Sequence, residues 1–285
     1  MCLTCGCSDQ ENVRVIDPSA TSVDPHDHLH EHDHPHSHDH PHKHDHPHEH
    51  GPAGAGIGAG LEPGTVITLE EKILAKNDSL ARRNRDWLAS RGIHAVNLMS
   101  SPGAGKTTLL ERTVRELGSE LAVSVVEGDQ ETTLDADRIT ATGAPVIQVN
   151  TGSGCHLDAE MLDNALRKLE PAPDSLVFVE NVGNLVCPAL FDLGESAKIV
   201  IMSVTEGADK PLKYSTMFHT ASLVLLNKID LLPYVDFDLD QFADAVHRVS
   251  HHARVLQVSA TTGDGLSDWY DWLRQLRARE TAPAQ

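Results

Sequence analysis

Residues 100–108 read Ser100-Ser101-Pro102-Gly103-Ala104-Gly105-Lys106-Thr107-Thr108, and the segments on either side decide what that stretch is. The apolar run Ala95-Val96-Asn97-Leu98-Met99 precedes it, and Leu109 to Leu117 carries a helical pattern. A turn of small residues between a strand and a helix lets backbone N–H groups close round a phosphate chain. Lys106 adds a mobile positive charge, and Thr107 a hydroxyl for Mg²⁺. The usual pattern is Gly, four residues, then Gly-Lys-Ser/Thr. Ser100 stands at the first glycine position, an irregularity the turn should tolerate because the cradle itself is built from Pro102 to Thr107, with Gly103, Ala104, Gly105, Lys106, Thr107 and Thr108 as the phosphate-binding residues. The bland alternative is a Gly/Pro-rich connection in an α/β domain; the strand-loop-helix context weighs against it.

Beyond the loop, apolar runs recur at 121–126, 145–149, 176–179, 198–204, 223–226 and 255–258, with helical patterns between most of them. Such runs predict a mainly parallel sheet covered by helices on both faces, an α/β P-loop NTPase. Leu266, Trp269, Tyr270, Leu273 and Leu276 predict a closing helix whose tryptophans pack. Ahead of the loop, Thr68 and Glu71 fit a capping box. Ile73, Leu80 and Trp87, beside Leu74, Ala81 and Leu88, predict an amphipathic helix over 68–91 that packs on its own domain. Residues 65–280 should form one domain.

The first part of the chain reads differently. Cys2, Cys5 and Cys7, with Gly6 between the last two, have the spacing of a metal site within 1–23; the terminal amine of Cys2, once Met1 is removed, is a further donor. Thiolates and a nitrogen suit Ni²⁺ or Zn²⁺ rather than Mg²⁺ or Ca²⁺. A frayed terminus with incidental cysteines is the alternative. Within 24–50 every even position from 26 is histidine: His26, His28, His30, His32, His34, His36, His38, His40, His42, His44, His46, His48 and His50. With Asp, Glu and Pro between them they predict a disordered tail, and imidazoles near a pKa of about 6.5 are mostly neutral metal donors at neutral pH. A purification tag or an inert solvating tail would explain the histidines less well. Residues 51–64, rich in Gly, Ala and Pro, read as a linker.

Composition narrows the partners. The chain has 285 residues and a formal charge of −19, which argues against nucleic acid. No apolar stretch is long enough to span a membrane and none resembles a signal peptide, so a cytoplasmic chain without a membrane partner is expected. Its five cysteines should then be thiols available to metals.

Asn227-Lys228-Ile229-Asp230 follows a strand-like run, at the sheet edge where ligands bind. A carboxylate there accepts two hydrogen bonds from guanine that adenine cannot offer, and a lysine stem covers the ring, so Asp230 and Lys228 select GTP. Ser259-Ala260-Thr261 is expected to close over the guanine O6 with a backbone N–H. Asp129 and Glu180 are candidate carboxylates for Mg²⁺, with Lys106 and Thr107 completing the catalytic set; Gly183 should sense the γ-phosphate. No glutamine to orient water and no arginine finger can be named, so intrinsic hydrolysis should be slow. Cys155 and His156 follow Thr151-Gly152-Ser153-Gly154, and Cys187 lies on the same loop as Glu180. They form a second candidate metal site with one position left for water, a bridging thiolate or another subunit. Buried cysteines and a satisfied histidine are the alternative.

These residues resemble the HypB family, GTPases that help insert nickel into nickel-iron hydrogenase. The resemblance runs through Cys2, Cys5, Gly6 and Cys7 and from about 68 to 276. It is most specific at Glu127-Gly128-Asp129-Gln130, Gly154-Cys155-His156, Glu180-Asn181-Val182-Gly183-Asn184-Leu185-Val186-Cys187-Pro188 and Asp209-Lys210-Pro211-Leu212-Lys213-Tyr214. It implies a GTP-dependent homodimer, a tight nickel site at Cys2, Cys5 and Cys7, and a nickel or zinc site at Cys155, His156 and Cys187. The implied partners are a HypA-type nickel accessory protein, the chaperone SlyD and the hydrogenase large-subunit precursor. Rival expectations are the nickel GTPase of urease maturation, the chaperone of a B12-dependent mutase, and a nickel storage protein whose GTP binding is vestigial.

Overall fold

Runs of Val, Ile and Leu too short to be helices and apolar throughout can be buried only in a sheet covered on both sides. The computed structural model, which describes residues 13–18, 63–130 and 134–279, has that arrangement. Cys2, Cys5, Cys7, the histidines of 26–50 and linker residues 51–62 lie outside the described residues. The strands are β1 (Arg14–Ile16), β2 (His94–Ser100), β3 (Val123–Asp129), β4 (Val146–Asn150), β5 (Leu176–Glu180), β6 (Ala197–Ser203), β7 (Leu223–Asn227) and β8 (Arg254–Gln257). They form one sheet in the order β1-β4-β3-β5-β2-β6-β7-β8, and every neighbouring pair is parallel except β1 with β4.

Alternation along the strands sorts the core into two faces. Val96, Leu98, Phe178, Ile199 and Leu225 pack under α2 (Lys106–Leu117), α3 (Leu134–Thr140) and α9 (Leu266–Arg279). On the other face, Ala95, Val126, Ile147 and Val179 meet α1 (Pro63–Ala89) and α4 (Ala159–Leu169), and Val200, Met202 and Leu226 meet α7 (Ser215–Thr220) and α8 (Leu239–Val249). Trp269 is a packing residue, as expected: it is buried, its indole N–H donates to Thr113 Oγ1 at 3.0 Å, and Trp272 stacks on it. No helix among the described residues is long and apolar enough to cross a membrane.

Three features depart from the sequence expectation. β1 lies inside the segment assigned wholly to metal binding; it pairs antiparallel with the edge strand β4, and Val13 and Val15 pack against the core. α1 starts at Pro63, so the linker ends earlier than 64 and Thr68 lies within the helix rather than capping it; proline's fixed φ suits a first helical turn. The most buried row of α1 is not purely apolar but Asn77, Ala81, Asn84 and Leu88. The two asparagines are buried because their amides satisfy backbone groups of other segments. Asn77 donates to Asp192 O and accepts from Ala159 N; Asn84 donates to Ala159 O and Leu193 O.

β3 and β5 extend past their apolar runs to Asp129 and Glu180. All the parallel strands end at one edge of the sheet, so the polar residues that close them are gathered there.

Candidate nucleotide cleft and adjoining metal cluster

The loop after β2 turns through two glycines with left-handed backbone, Gly103 (φ 76°) and Gly105 (φ 92°), and α2 begins at Lys106. A Cβ on Gly105 would stand 2.6 Å from Asn227 Nδ2. Asn227 braces the loop: its amide donates to Ala104 O at 2.9 Å and accepts from Ala260 N at 3.1 Å, while Lys228 Nζ donates to Gly103 O at 2.7 Å. Ser100 is the last residue of β2 and has no positive φ, so a serine is accommodated at the first glycine position.

Lys106 and Thr107 converge on one carboxylate. Thr107 donates to Glu180 Oε1 at 2.6 Å, and Lys106 Nζ lies 3.4 Å from the same oxygen. Beside it in register, Glu127 is 2 % exposed. Burial first, then the nearby Glu180 and Asp129 carboxylates, push the Glu127 carboxyl up to about 9. Oε2 of Glu127 and Oε2 of Glu180 are both buried without a hydrogen-bond partner. Orphaned carboxylate oxygens, a threonine hydroxyl and Asp129 at the strand end make a hard oxygen donor set, so these residues fit Mg²⁺. Glu127 was missing from the expected site. Its signal was a lone carboxylate inside an apolar strand, two residues before Asp129 and therefore on the same face.

These groups line a cleft of about 570 Å³ that also takes in Gly183, Lys228 and, from α3, Arg138. Arg138 was a second omission; it donates to Thr108 Oγ1 at 3.1 Å and Glu111 Oε2 at 2.8 Å. Asp230 is not among the residues that line this cleft; two positions beyond Lys228, it lies in a 3₁₀ turn, Ile229–Tyr234, and accepts from the Ser259 hydroxyl. The N–H of Ser259 is donated to Asp264 O and that of Ala260 to Asn227 Oδ1. Arg112 of α2 fastens this loop by donating to Ala260 O and Thr261 O.

Cys155, His156 and Cys187 come together as expected, with ligand atoms within 4.8 Å of one another. Cys187 is not in an open loop; it begins the short helix α5 (Cys187–Leu190). Neither cysteine is in a disulfide. His156 is buried and stacks on Phe191 with ring centroids 3.8 Å apart; burial lowers its pKa to about 4, so near neutral pH its imidazole keeps a lone pair for a metal. Two thiols and a neutral imidazole are a soft-to-borderline donor set suited to Ni²⁺ or Zn²⁺.

The segments that line the cleft also hold this cluster. Gln130 Nε2 donates to Gly154 O at 3.2 Å and Asn184 Nδ2 to Cys155 O at 3.4 Å. Asn181 Oδ1 accepts from both Leu157 N and Val182 N at 3.0 Å. Gly128 admits Leu157 against β3; a Cβ there would stand 2.8 Å from the leucine side chain. Behind the cluster, Asn77 and Asn84 tie Ala159, just past His156, to Asp192 and Leu193, just past Cys187. Val186 and Leu190, which flank Cys187, are exposed, as is Leu212 on α6 (Lys210–Lys213).

Residues 94–257 match the family model for the CobW/HypB/UreG nucleotide-binding domain. The chain is 51% identical to the hydrogenase maturation factor HypB of Azotobacter chroococcum mcd 1 over 218 residues, covering 76% of this chain and 72% of that one. Two solved structures are similar to it, each with a TM-score of 0.68. One is the hydrogenase maturation factor HypB from Archaeoglobus fulgidus, 38% identical, covering 72% of this chain and 100% of the other. The second is HypB from Helicobacter pylori in complex with nickel, 36% identical, covering 74% and 99%.

Proposed function

This chain belongs to the HypB family of hydrogenase maturation factors, in the CobW/HypB/UreG class of P-loop GTPases, and from that premise we propose that it is a GTP-hydrolysing nickel carrier. Nickel is its cargo, held at Cys155, His156 and Cys187 and at the N-terminal Cys2, Cys5 and Cys7, with the histidines of 26–50 as a reservoir. The observation that carries this proposal is the position of the Cys155–His156–Cys187 cluster, gripped by Gln130, Asn181 and Asn184 from the two segments that face the phosphate cleft.

GTP occupies the cleft, its base read by Asp230 and covered by the Lys228 stem. Thr107, Asp129, Glu127 and Glu180 would hold Mg²⁺, which supplies charge neutralisation at the phosphates. The triphosphate competes with Glu180 for Lys106 and Thr107, the two groups that engage Glu180 Oε1. Glu180 loses those partners and its segment moves toward the γ-phosphate, with Gly183 turned to it. Asn181 and Asn184 carry the shift to Leu157 N and Cys155 O and change the separation of Cys155 from Cys187. Nickel is then held less tightly, and hydrolysis restores the first arrangement. Zn²⁺ competes for the same thiolates. The exposed Val186 and Leu190 beside Cys187 supply an apolar contact for a GTP-dependent homodimer. Delivery to the hydrogenase large-subunit precursor, by way of a HypA-type accessory protein and with SlyD, belongs to the same proposal, as does a cytoplasmic address where the thiols stay reduced.

Equilibrium dialysis of Ni²⁺ against the full chain tests it. Affinity at the cluster, isolated by subtracting a Cys187→Ala chain, should differ about tenfold between GDP and a non-hydrolysable GTP analogue, within the usual range of allosteric coupling. Equal affinities would overturn the coupling.

A further inference from the structure

The described residues contain six histidines. His94 is buried in β2 and His156 belongs to the cluster; the other four, His219, His247, His251 and His252, are exposed and meet at the carboxyl end of α8. Neither the cleft nor the cluster uses any of them. None is buried, so packing does not account for four imidazoles on one patch.

The backbone under the patch is fixed from behind. Phe242, Ala245 and Val246 of α8 are buried, and Ser250 N donates to Val246 O at 2.8 Å to close the last turn. His219, at the end of α7, holds its Nδ1 3.1 Å from Val249 O. A carbonyl only accepts, so that nitrogen carries the proton and ties the two helix ends together. His252 stands edge-on to His219, with ring centroids 6.2 Å apart.

On this base His247 and His251, four positions apart in the chain, have ring centroids 4.8 Å apart and planes at 70°. Two imidazoles on neighbouring positions of one ion, each nitrogen about 2.1 Å from it, put their centroids about 4.5–5 Å apart. The pair is thus already at a chelating separation. The free carbonyls that end α8 add negative partial charge, and Arg248, the next residue, projects about 100° round the helix from His247. Imidazole nitrogens favour the borderline ions Ni²⁺, Cu²⁺ and Zn²⁺ over Mg²⁺ and Ca²⁺, which take oxygen. β7 and β8 begin at Leu223 and Arg254, just after His219 and His252, so the patch lies at the amino edge of the sheet, opposite the phosphate loop.

We propose that His247 and His251 form a further metal site, which takes one borderline divalent cation, with water in its remaining positions, independently of the nucleotide. On binding, two ring nitrogens replace two waters of the hydrated ion, and no electron moves. The site stands whether or not nickel is carried at the cysteines.

The test uses the full chain, labelled with ¹⁵N at histidine, and Zn²⁺ alone, its free concentration set by a chelating buffer so that donors elsewhere in the chain do not deplete it. Direct ligation moves the resonance of the ring nitrogen that binds. The signals of His247 and His251 should move together, with a single midpoint well below millimolar that is the same with GDP and with a GTP analogue. In a His247→Gln chain, with GTP turnover unchanged, the His251 midpoint should rise at least tenfold, because a chelate has become a single ligand. Separate midpoints for the two residues overturn the proposal, as does an unchanged His251 midpoint in the variant or the lack of any shift up to millimolar Zn²⁺. A midpoint that moves with the nucleotide overturns the independence.

Discussion

Burial and the neighbouring Glu180 and Asp129 carboxylates hold Glu127 protonated up to about pH 9, where an ordinary glutamate loses its proton near 4.5. The raised folded value means that this group contributes stability fully present below about pH 4.5 and lost as pH rises toward about 9. Without nucleotide or Mg²⁺, the melting temperature should therefore fall between about pH 5 and pH 9, and Glu127→Gln should flatten that slope. Calorimetry at several pH values checks it; the same slope in the variant would assign the effect elsewhere. Lys106→Ala should abolish GTP turnover, and Asp230→Asn should shift preference toward xanthosine triphosphate, whose 2-oxo group accepts where guanine donates; competition binding reads the second. Lys106, Thr107 and Asp230 could be named from sequence because each belongs to a run whose spacing is dictated by a phosphate or a base. Arg138 could not, because it joins the cleft through a helix position that only folding brings about; Glu127 left only the trace of a lone carboxylate in an apolar strand, and its place beside Glu180 is set by the strand register.

The pair of asparagines on α1 shows how an element can fix a site it does not contain. Removing the Asn84 amide leaves Ala159 O and Leu193 O buried without that donor, a cost of about 1–3 kcal/mol. Asn84→Ala should lower the melting temperature by about 2–4 °C for each kcal/mol lost. It should also weaken nickel binding at Cys155, His156 and Cys187, because the backbone after His156 is no longer tied to that after Cys187. Unchanged nickel affinity in a destabilised variant would make the asparagine a packing residue only. The strands of the parallel sheet were legible because burial on both faces leaves an unbroken apolar run. The inner row of α1 was not, since two of its buried residues are polar and hydrophobic periodicity is blind to amides. β1 escaped for a different reason: a strand this short, taken up by a distant edge, has no pattern of its own.

At the scale of the whole molecule, the carboxyl edge of one sheet gathers the candidate nucleotide cleft, the Cys155–His156–Cys187 cluster and the exposed apolar residues around Cys187. The proposed homodimer predicts that in light scattering with a GTP analogue the unaltered chain is a dimer and a Val186→Asp/Leu190→Asp chain a monomer that still binds nucleotide. A dimer that survives both changes would place the contact elsewhere. The architecture was legible in the alternation of runs and patterns; the convergence of the sites was legible only in part, because it depends on which loops fold back.

The pairing of β1 with β4 joins positions on either side of α1, β2, α2, β3 and α3. Closing so long a loop is entropically costly and returns few hydrogen bonds, so β1 should add itself late, after the parallel core has condensed. The reverse step is correspondingly cheap: the strand can lift away while the rest stays folded. Its backbone amides should exchange with deuterium well before those of β2 or β5, which marks β1 as a separately opening unit of the native state.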